Sequence, residues 1–271
     1  MVKKKKGLDW KGFWLGVGKW AWLVVRLPYY SIKTTWKVGK KIENIDKERK
    51  ILKKRSVINA RFEEFEVLKV VSGEYLKWRD YVFNSDSQIG IVLGARGNGK
   101  TAFGVKFLEN YYSKNSKACF AMGFRKEKMP SWIHVVSDVG KVSNDSVVLI
   151  DEGGVLFNSR SSMSNANKLL SSLMMVARHK NISIVFISQN SANLEVNILR
   201  QADFLVMKPS SLMQKEFERK IVRKIYDDIE EDIETFREDK GLSFIYSGKF
   251  RGFVSNPLPS FWEEGVSKSF K

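Results

Sequence analysis

The run Gly94-Ala95-Arg96-Gly97-Asn98-Gly99-Lys100-Thr101 fits G-x-x-x-x-G-K-[ST], and it constrains the fold more than any other stretch of the chain. Glycines let such a loop turn its backbone N–H groups inward around phosphate oxygens. The start of the following helix adds partial positive charge. In that chemistry Lys100 reaches the β- and γ-phosphates, and the Thr101 hydroxyl ligates Mg²⁺. The flanks fit as well. Ile89-Gly90-Ile91-Val92-Leu93 is a short apolar strand, and residues 101–112 read as an amphipathic helix. Strand, loop and helix in this order belong to an α/β domain with a mainly parallel central sheet.

Two more apolar runs end in polar groups. Val147-Val148-Leu149-Ile150 leads into Asp151-Glu152, the pattern of a strand buried on both faces with acids at its carboxyl end. Open α/β sheets bind ligands along that edge. Asp151 is expected to hold Mg²⁺ through water, and Glu152 to polarise the attacking water. Residues 182–188, Ile-Ser-Ile-Val-Phe-Ile-Ser, form a third strand closed by Gln189. Gln189 can hydrogen-bond a γ-phosphate or the attacking water. Between these strands Ala166, Leu169, Leu170, Leu173, Met174 and Ala177 make a helical core stripe, its methionines being packing. Arg178, His179 and Lys180 close that helix. They are either favourable charge at a helix C-terminus or, in the case of Arg178, an arginine finger reaching a neighbouring subunit's γ-phosphate. Arg200 is the rival for that role.

Hydrolysis of ATP fits these groups better than other phosphate-loop chemistry. No [NT]-K-x-D guanine reader follows Asp151, and paired acids with a polar strand-end group argue against a small-molecule kinase. The expected cofactors are therefore ATP and Mg²⁺, in an ATPase with an additional strand that works as a ring.

Charge divides the chain. The net formal charge is +17, but residues 1–55 hold 17 Lys/Arg against 4 Asp/Glu, and the other 216 residues hold 30 against 26. Five of the eight tryptophans (Trp10, Trp14, Trp20, Trp22 and Trp36) lie in the first 40 positions. A stripe of Trp10, Phe13, Trp14, Val17, Ala21, Val24 and Val25 suits an interfacial helix over residues 10–26 on an anionic membrane surface. Interleaved Trp and Lys equally suit nucleic acid, or packing on a protein. Arg26, Pro28 and Lys33 cut the apolar run short of the ~20 residues of a membrane span. Export is disfavoured, because no A-x-A-like cleavage site follows residues 12–25. The single cysteine, Cys119, excludes a disulfide framework and points to a reducing compartment. A cytoplasmic protein, peripheral on the membrane face or carried in a virion, is the expectation. His134 and His179 match no metal spacing.

Residues 177–189, Ala-Arg-His-Lys-Asn-Ile-Ser-Ile-Val-Phe-Ile-Ser-Gln, resemble the Arg-then-strand-then-Gln segment of the FtsK–HerA superfamily. Asp151-Glu152-Gly153-Gly154, then Phe157-Asn158-Ser159-Arg160, resembles the branch holding zonular-occludens-toxin-like and filamentous-phage assembly ATPases, and the packaging ATPases of archaeal viruses and plasmids. Leu258-Pro259-Ser260-Phe261-Trp262 is similar to a tail of that branch. The resemblance spans about residues 86–265. It implies a RecA-like P-loop NTPase core with a mainly parallel sheet, an N-terminal helical extension and a C-terminal β-hairpin. It also implies a homo-oligomer, commonly a hexameric ring, moving double-stranded DNA or an extruding virion. The nucleotide and catalytic roles carry over to Lys100, Thr101, Asp151, Glu152 and Gln189, and the finger role to Arg178. This chain differs from phage-assembly relatives in placing its candidate membrane segment at the N-terminus. It also lacks the large extra domains of chromosome translocases.

The expected organisation is a basic, Trp-rich segment (1–40), a charged helical connector (41–85) and an ATPase domain (86–271). Residues 216–240 read as charged helix, and residues 242–246 and 250–254 as a hairpin around Ser247-Gly248-Lys249. Three functions compete: a DNA packaging motor, a membrane-bound assembly or secretion ATPase, and a nucleotide-gated scaffold with little turnover. Glu152 argues against the third.

Overall fold

The computed structural model describes residues 58–154 and 163–267, together with residues 40, 42, 43, 45–47, 49, 50, 53 and 55. The chain divides into two units, Met1–Lys54 and Arg55–Lys271. In the first, the described positions are helical and exposed, with a Lys47–Glu43 ion pair one turn apart. The Trp-rich stripe of residues 10–26 and the Phe157–Arg160 run lie outside the described residues.

The second unit is built on a nine-stranded sheet. Its strands are β1 (Glu66–Gly73), β2 (Ile89–Leu93), β3 (Ala118–Met122), β4 (Ile133–Val135), β5 (Ser146–Asp151), β6 (Ile182–Ile187), β7 (Phe204–Met207), β8 (Leu242–Ser247) and β9 (Phe250–Ser255). Their spatial order is β1-β9-β8-β7-β2-β6-β5-β3-β4. The six strands from β7 to β4 in that order run parallel, and β8, β9 and β1 add antiparallel pairs at one side. The helices are α1 (Tyr75–Asn84), α2 (Lys100–Asn115), α3 (Met163–Lys180), α4 (Val196–Arg200), α5 (Leu212–Glu216), α6 (Lys220–Asp228), α7 (Glu230–Thr235) and α8 (Glu264–Ser267). This is the expected α/β fold with a mostly parallel sheet and a C-terminal hairpin.

Continuous apolar runs make the central strands because both of their faces are covered. Val92, Val147, Leu149, Val185 and Ile187 face a core with Phe103, Phe107 and Trp78. Their neighbours Ile91, Leu93, Val148, Ile150, Ile184 and Phe186 face a second core with Leu170, Leu173 and Ala177 of α3. Each such side chain contributes about 1.5–3 kcal/mol on burial. The predicted stripe of α3 is confirmed at Leu170, Leu173, Met174 and Ala177.

Three local expectations are corrected. First, α2 is not amphipathic: every residue from Ala102 to Tyr111 is buried. It lies against the sheet so closely that a Cβ on Gly104 would stand 2.6 Å from Leu149 Cδ1. Second, the helix expected to run through to about residue 84 is broken by a strand at residues 66–73, and helix resumes only at residues 75–84. Residues 66–73 form β1, paired with β9, and α1 buries Trp78, Val82 and Phe83 in the core. Val67, Val70 and Val71 are all exposed on this edge strand, so their i, i+3, i+4 spacing imitates a helix. Third, residues 216–240 break into short pieces, α6 ending and α7 starting at the shared cap residue Ile229. Among the described residues, no helix is long and apolar enough to cross a membrane.

Candidate functional site

Strand order builds the site. The phosphate-loop candidate leaves the C-terminal end of β2, the acids leave β5, and β6 is inserted between these two strands. All three are parallel, so residues 94–101, Asp151/Glu152 and Gln189 come to one rim.

Within the loop, Gly94, Gly97 and Gly99 take φ values of +143°, +88° and +77°. Gly94 is confined from below too, since a Cβ there would stand 2.6 Å from Lys208 Cβ. The Lys100 ammonium donates to the Gly94 and Ala95 carbonyls, both at 2.8 Å. Burial pushes its pKa down, and Asp151 and Glu152 push it back up. Asn98 Nδ2 donates to the Pro209 carbonyl at 2.5 Å, and the Ala95 N–H to the same oxygen at 3.2 Å. Arg96 and Gly97 are exposed at the tip.

The Thr101 hydroxyl donates to Asp151 Oδ2 at 3.2 Å, while Asp151 Oδ1 accepts the Gly153 N–H at 3.1 Å. Burial holds the Asp151 carboxyl above its ordinary range, against the pull of Thr101, the Gly154 and Gly153 N–H groups and Lys100. A hydroxyl and a carboxylate at this separation are the hard oxygen donors that suit Mg²⁺. Glu152 is buried next to them. Its Oε2 accepts the Ser188 hydroxyl at 2.5 Å. Burial raises its pKa, while Ser188, the Gln189 backbone N–H and the Asn193 side chain lower it. Gln189 is exposed at the end of β6. Its amide Nε2 and Asp151 Oδ1 stand 3.9 Å and 3.4 Å from the point a Gly153 Cβ would occupy.

Arg178 and Arg200 are not at this rim. Arg178 is exposed at the end of α3, just before β6 begins, and thus at the opposite edge of the sheet. The six residues of β6 separate it from Gln189, on the order of 20 Å at about 3.3 Å per residue. Arg200 ends α4 and also leads into the start of a parallel strand, β7.

Several contacting residues escape a sequence reading. Ser188 looks like another strand serine, yet it fixes Glu152 and its N–H donates to the Val92 carbonyl at 2.9 Å. Asn193 sits in a short helical turn after β6. Lys208 and Pro209 form the floor of the loop. The only sequence trace of these two is an apolar tetrapeptide, residues 204–207, ending in a lysine and a proline.

A family model described as zonular occludens toxin (Zot) matches residues 125–209. No curated protein matches the chain. Solved structures similar to it include the DNA-packaging ATPase B204 from Sulfolobus Turreted Icosahedral Virus. That protein is 15% identical, with 65% of this chain and 99% of that one covered and a TM-score of 0.43. The genome packaging NTPase B204 from Sulfolobus turreted icosahedral virus 2, in complex with ATP-gammaS, is 14% identical, covering 64% and 98%, with a TM-score of 0.43. The N-terminal domain of zonular occludens toxin from Neisseria meningitidis is 16% identical, covering 68% and 99%, with a TM-score of 0.35. The family-model match covers under half of the chain, and the likeness to these structures is distant.

Proposed function

We propose that this chain is a Mg²⁺-dependent ATP hydrolase that works as a homo-oligomer, a hexameric ring, and moves double-stranded DNA for a virus or mobile element. The observation that carries the reading is the rim itself: Thr101 and Asp151 are in hydrogen-bond contact, with Lys100 on the same loop and Glu152 fixed by Ser188. Mg²⁺ would be held by Thr101 and, through water, by Asp151, and when bound would offset phosphate charge as it develops. The backbone N–H groups of residues 94–101 hold the polyphosphate, and Lys100 exchanges its loop carbonyls for phosphate oxygens. Glu152 accepts the proton of the attacking water. Gln189 orients that water or contacts the γ-phosphate. Arg178, exposed and away from its own rim, is the candidate finger toward a neighbouring subunit, with Arg200 as the alternative.

DNA as cargo rests on the +17 charge and its concentration in residues 1–55. A second reading, a membrane-associated assembly ATPase of the cytoplasmic face, is favoured by the Zot match and the stripe at residues 10–26. One hydrolysis assay with three arms, no additive, duplex DNA and anionic vesicles, separates the two. Duplex DNA should stimulate turnover, with binding that weakens at a log–log salt slope near −0.9 per phosphate neutralised. Stimulation by anionic vesicles and not by DNA would replace the first reading with the second. In the same assay, Arg178→Ala subunits mixed into wild type should depress hydrolysis out of proportion to dose, whereas a strictly linear response contradicts a trans role.

A further inference from the structure

Lys208 is a fully buried lysine with no carboxylate in contact among the described residues. It directly follows β7, whose Met207 is level with Leu93 of β2, so it lies beneath the first residue of the phosphate loop. Its N–H donates to the Leu93 carbonyl at 2.8 Å. Its side chain runs under the loop, Nζ standing 3.7 Å from the point a Gly99 Cβ would occupy. The ammonium donates to the Gly241 carbonyl at 3.0 Å and to Asn256 Oδ1 at 2.6 Å. Gly241 and Asn256 bracket the β8–β9 hairpin and are joined by a backbone hydrogen bond of 3.1 Å. The Tyr226 hydroxyl of α6 donates to the Lys208 carbonyl at 3.0 Å. One residue therefore meets the loop and the hairpin mouth through its side chain and α6 through its backbone carbonyl.

A buried cation is costly unless something anionic compensates it. Among the described residues its charged or titratable neighbours are Lys100 from α2, Asp239 ahead of β8, and Tyr226 from α6. The Phe103 ring of α2 lies 5.9 Å from Nζ. Asp239 is not in contact, and its Oδ1 already accepts the Gly241 N–H at 2.6 Å. Two neutral oxygens in contact, with the distant Asp239 offset in part by Lys100, leave the charge undercompensated. The missing negative charge is the one a polyphosphate brings to the loop above.

We propose that Lys208 is a positioning residue of the phosphate loop: its buried ammonium is completed by the bound polyphosphate and couples loop occupancy to the mouth of the β8–β9 hairpin. The assignment rests on the nucleotide reading of that loop. Burial pushes the Lys208 pKa down to about 7, Asp239 opposing and Lys100 reinforcing the shift. The sign of the linkage follows. Lys208 is mostly neutral above pH 7 without ligand, an adjacent polyphosphate favours the charged form, and binding must then take up a proton. Affinity therefore falls as pH rises from 6.5 to 8, by about tenfold if the bound ammonium titrates well above pH 8.

The test is calorimetric titration of the full chain with Mg·ATPγS, in buffers of differing ionisation enthalpy, at pH 6 and pH 8. Wild type should take up close to one proton per site at pH 8 and far less at pH 6. Lys208→Met should lose the pH 8 uptake and bind more weakly at pH 6. Lys208→Arg, which stays charged, should also lose the uptake but keep much of the affinity at pH 8. Equal uptake by wild type and both variants, or none by wild type at pH 8, overturns the role of Lys208 while leaving nucleotide binding intact. Absence of binding by wild type at either pH removes the nucleotide reading, and this assignment with it.

Discussion

Replacing Glu152 with glutamine is expected to slow ATP turnover by about 10²–10⁴-fold, the usual worth of a positioned general base, while ATP binding stays within a few-fold of wild type. Glutamine keeps the shape of the side chain, and its carbonyl still accepts the hydrogen bonds of Ser188 and the Gln189 N–H. What is lost is the basic oxygen. Burial has already moved the Glu152 carboxyl above the ordinary glutamate range, which makes its anion a better proton acceptor. The base works ionised, so the acid limb of the wild-type rate profile should lie above the pH at which an exposed glutamate titrates. Phosphate release and equilibrium binding, measured on both proteins, check this. Turnover by Glu152→Gln within about threefold of wild type would remove the residue from the chemistry.

The second large effect concerns the far half of α2. Lys106 and Glu109 are both fully buried and paired at 3.0 Å. Lys106 also reaches Glu63 Oε2 at 3.1 Å, and Glu109 accepts the N–H groups of Arg61 at 3.2 Å and Ser260 at 3.0 Å, as well as the Ser260 hydroxyl. The helix that starts at Lys100 thereby pins the segment before β1 and the tail after β9. Glu109→Ala leaves Lys106 inside the protein with only the exposed Glu63 as anion, and should cost about 3–5 kcal/mol. Lys106→Met combined with Glu109→Leu should recover most of that loss, because it removes both charges while filling the space. Urea unfolding of the three proteins measures the difference. A loss below about 1 kcal/mol in Glu109→Ala would show that the pair does not hold these segments together.

The sequence exposes the central strands and hides the periphery for a physical reason. β2, β5 and β6 are covered on both faces, so their runs are almost wholly apolar and their polar ends stand out. That is enough to identify Lys100, Thr101, Asp151, Glu152 and Gln189 as groups on one edge. β1 is exposed on both faces and owes its conformation to β9, about 180 residues away in sequence, so no local pattern marks it as a strand. Ser188 and Lys208 are legible only through tertiary contact. A serine near a strand end and a lysine after an apolar tetrapeptide are ordinary until the sheet order sets one against Glu152 and the other beneath Gly94. Arg178 illustrates the reverse. Its place before a strand suggests a finger, and the parallel direction of β6 puts it at the edge away from its own loop.

The claim on which the rest depends is that the rim formed by β2, β5 and β6 holds and cleaves a nucleoside triphosphate. Steady-state phosphate release from ATP, by wild type with Mg²⁺, by wild type with excess chelator, and by Lys100→Ala, tests it most directly. The account predicts turnover that requires Mg²⁺ and falls by at least about 10²-fold in Lys100→Ala, as expected for loss of a charge aimed at the transferring phosphoryl group. Equal rates for wild type and Lys100→Ala, or hydrolysis indifferent to the chelator, would contradict it.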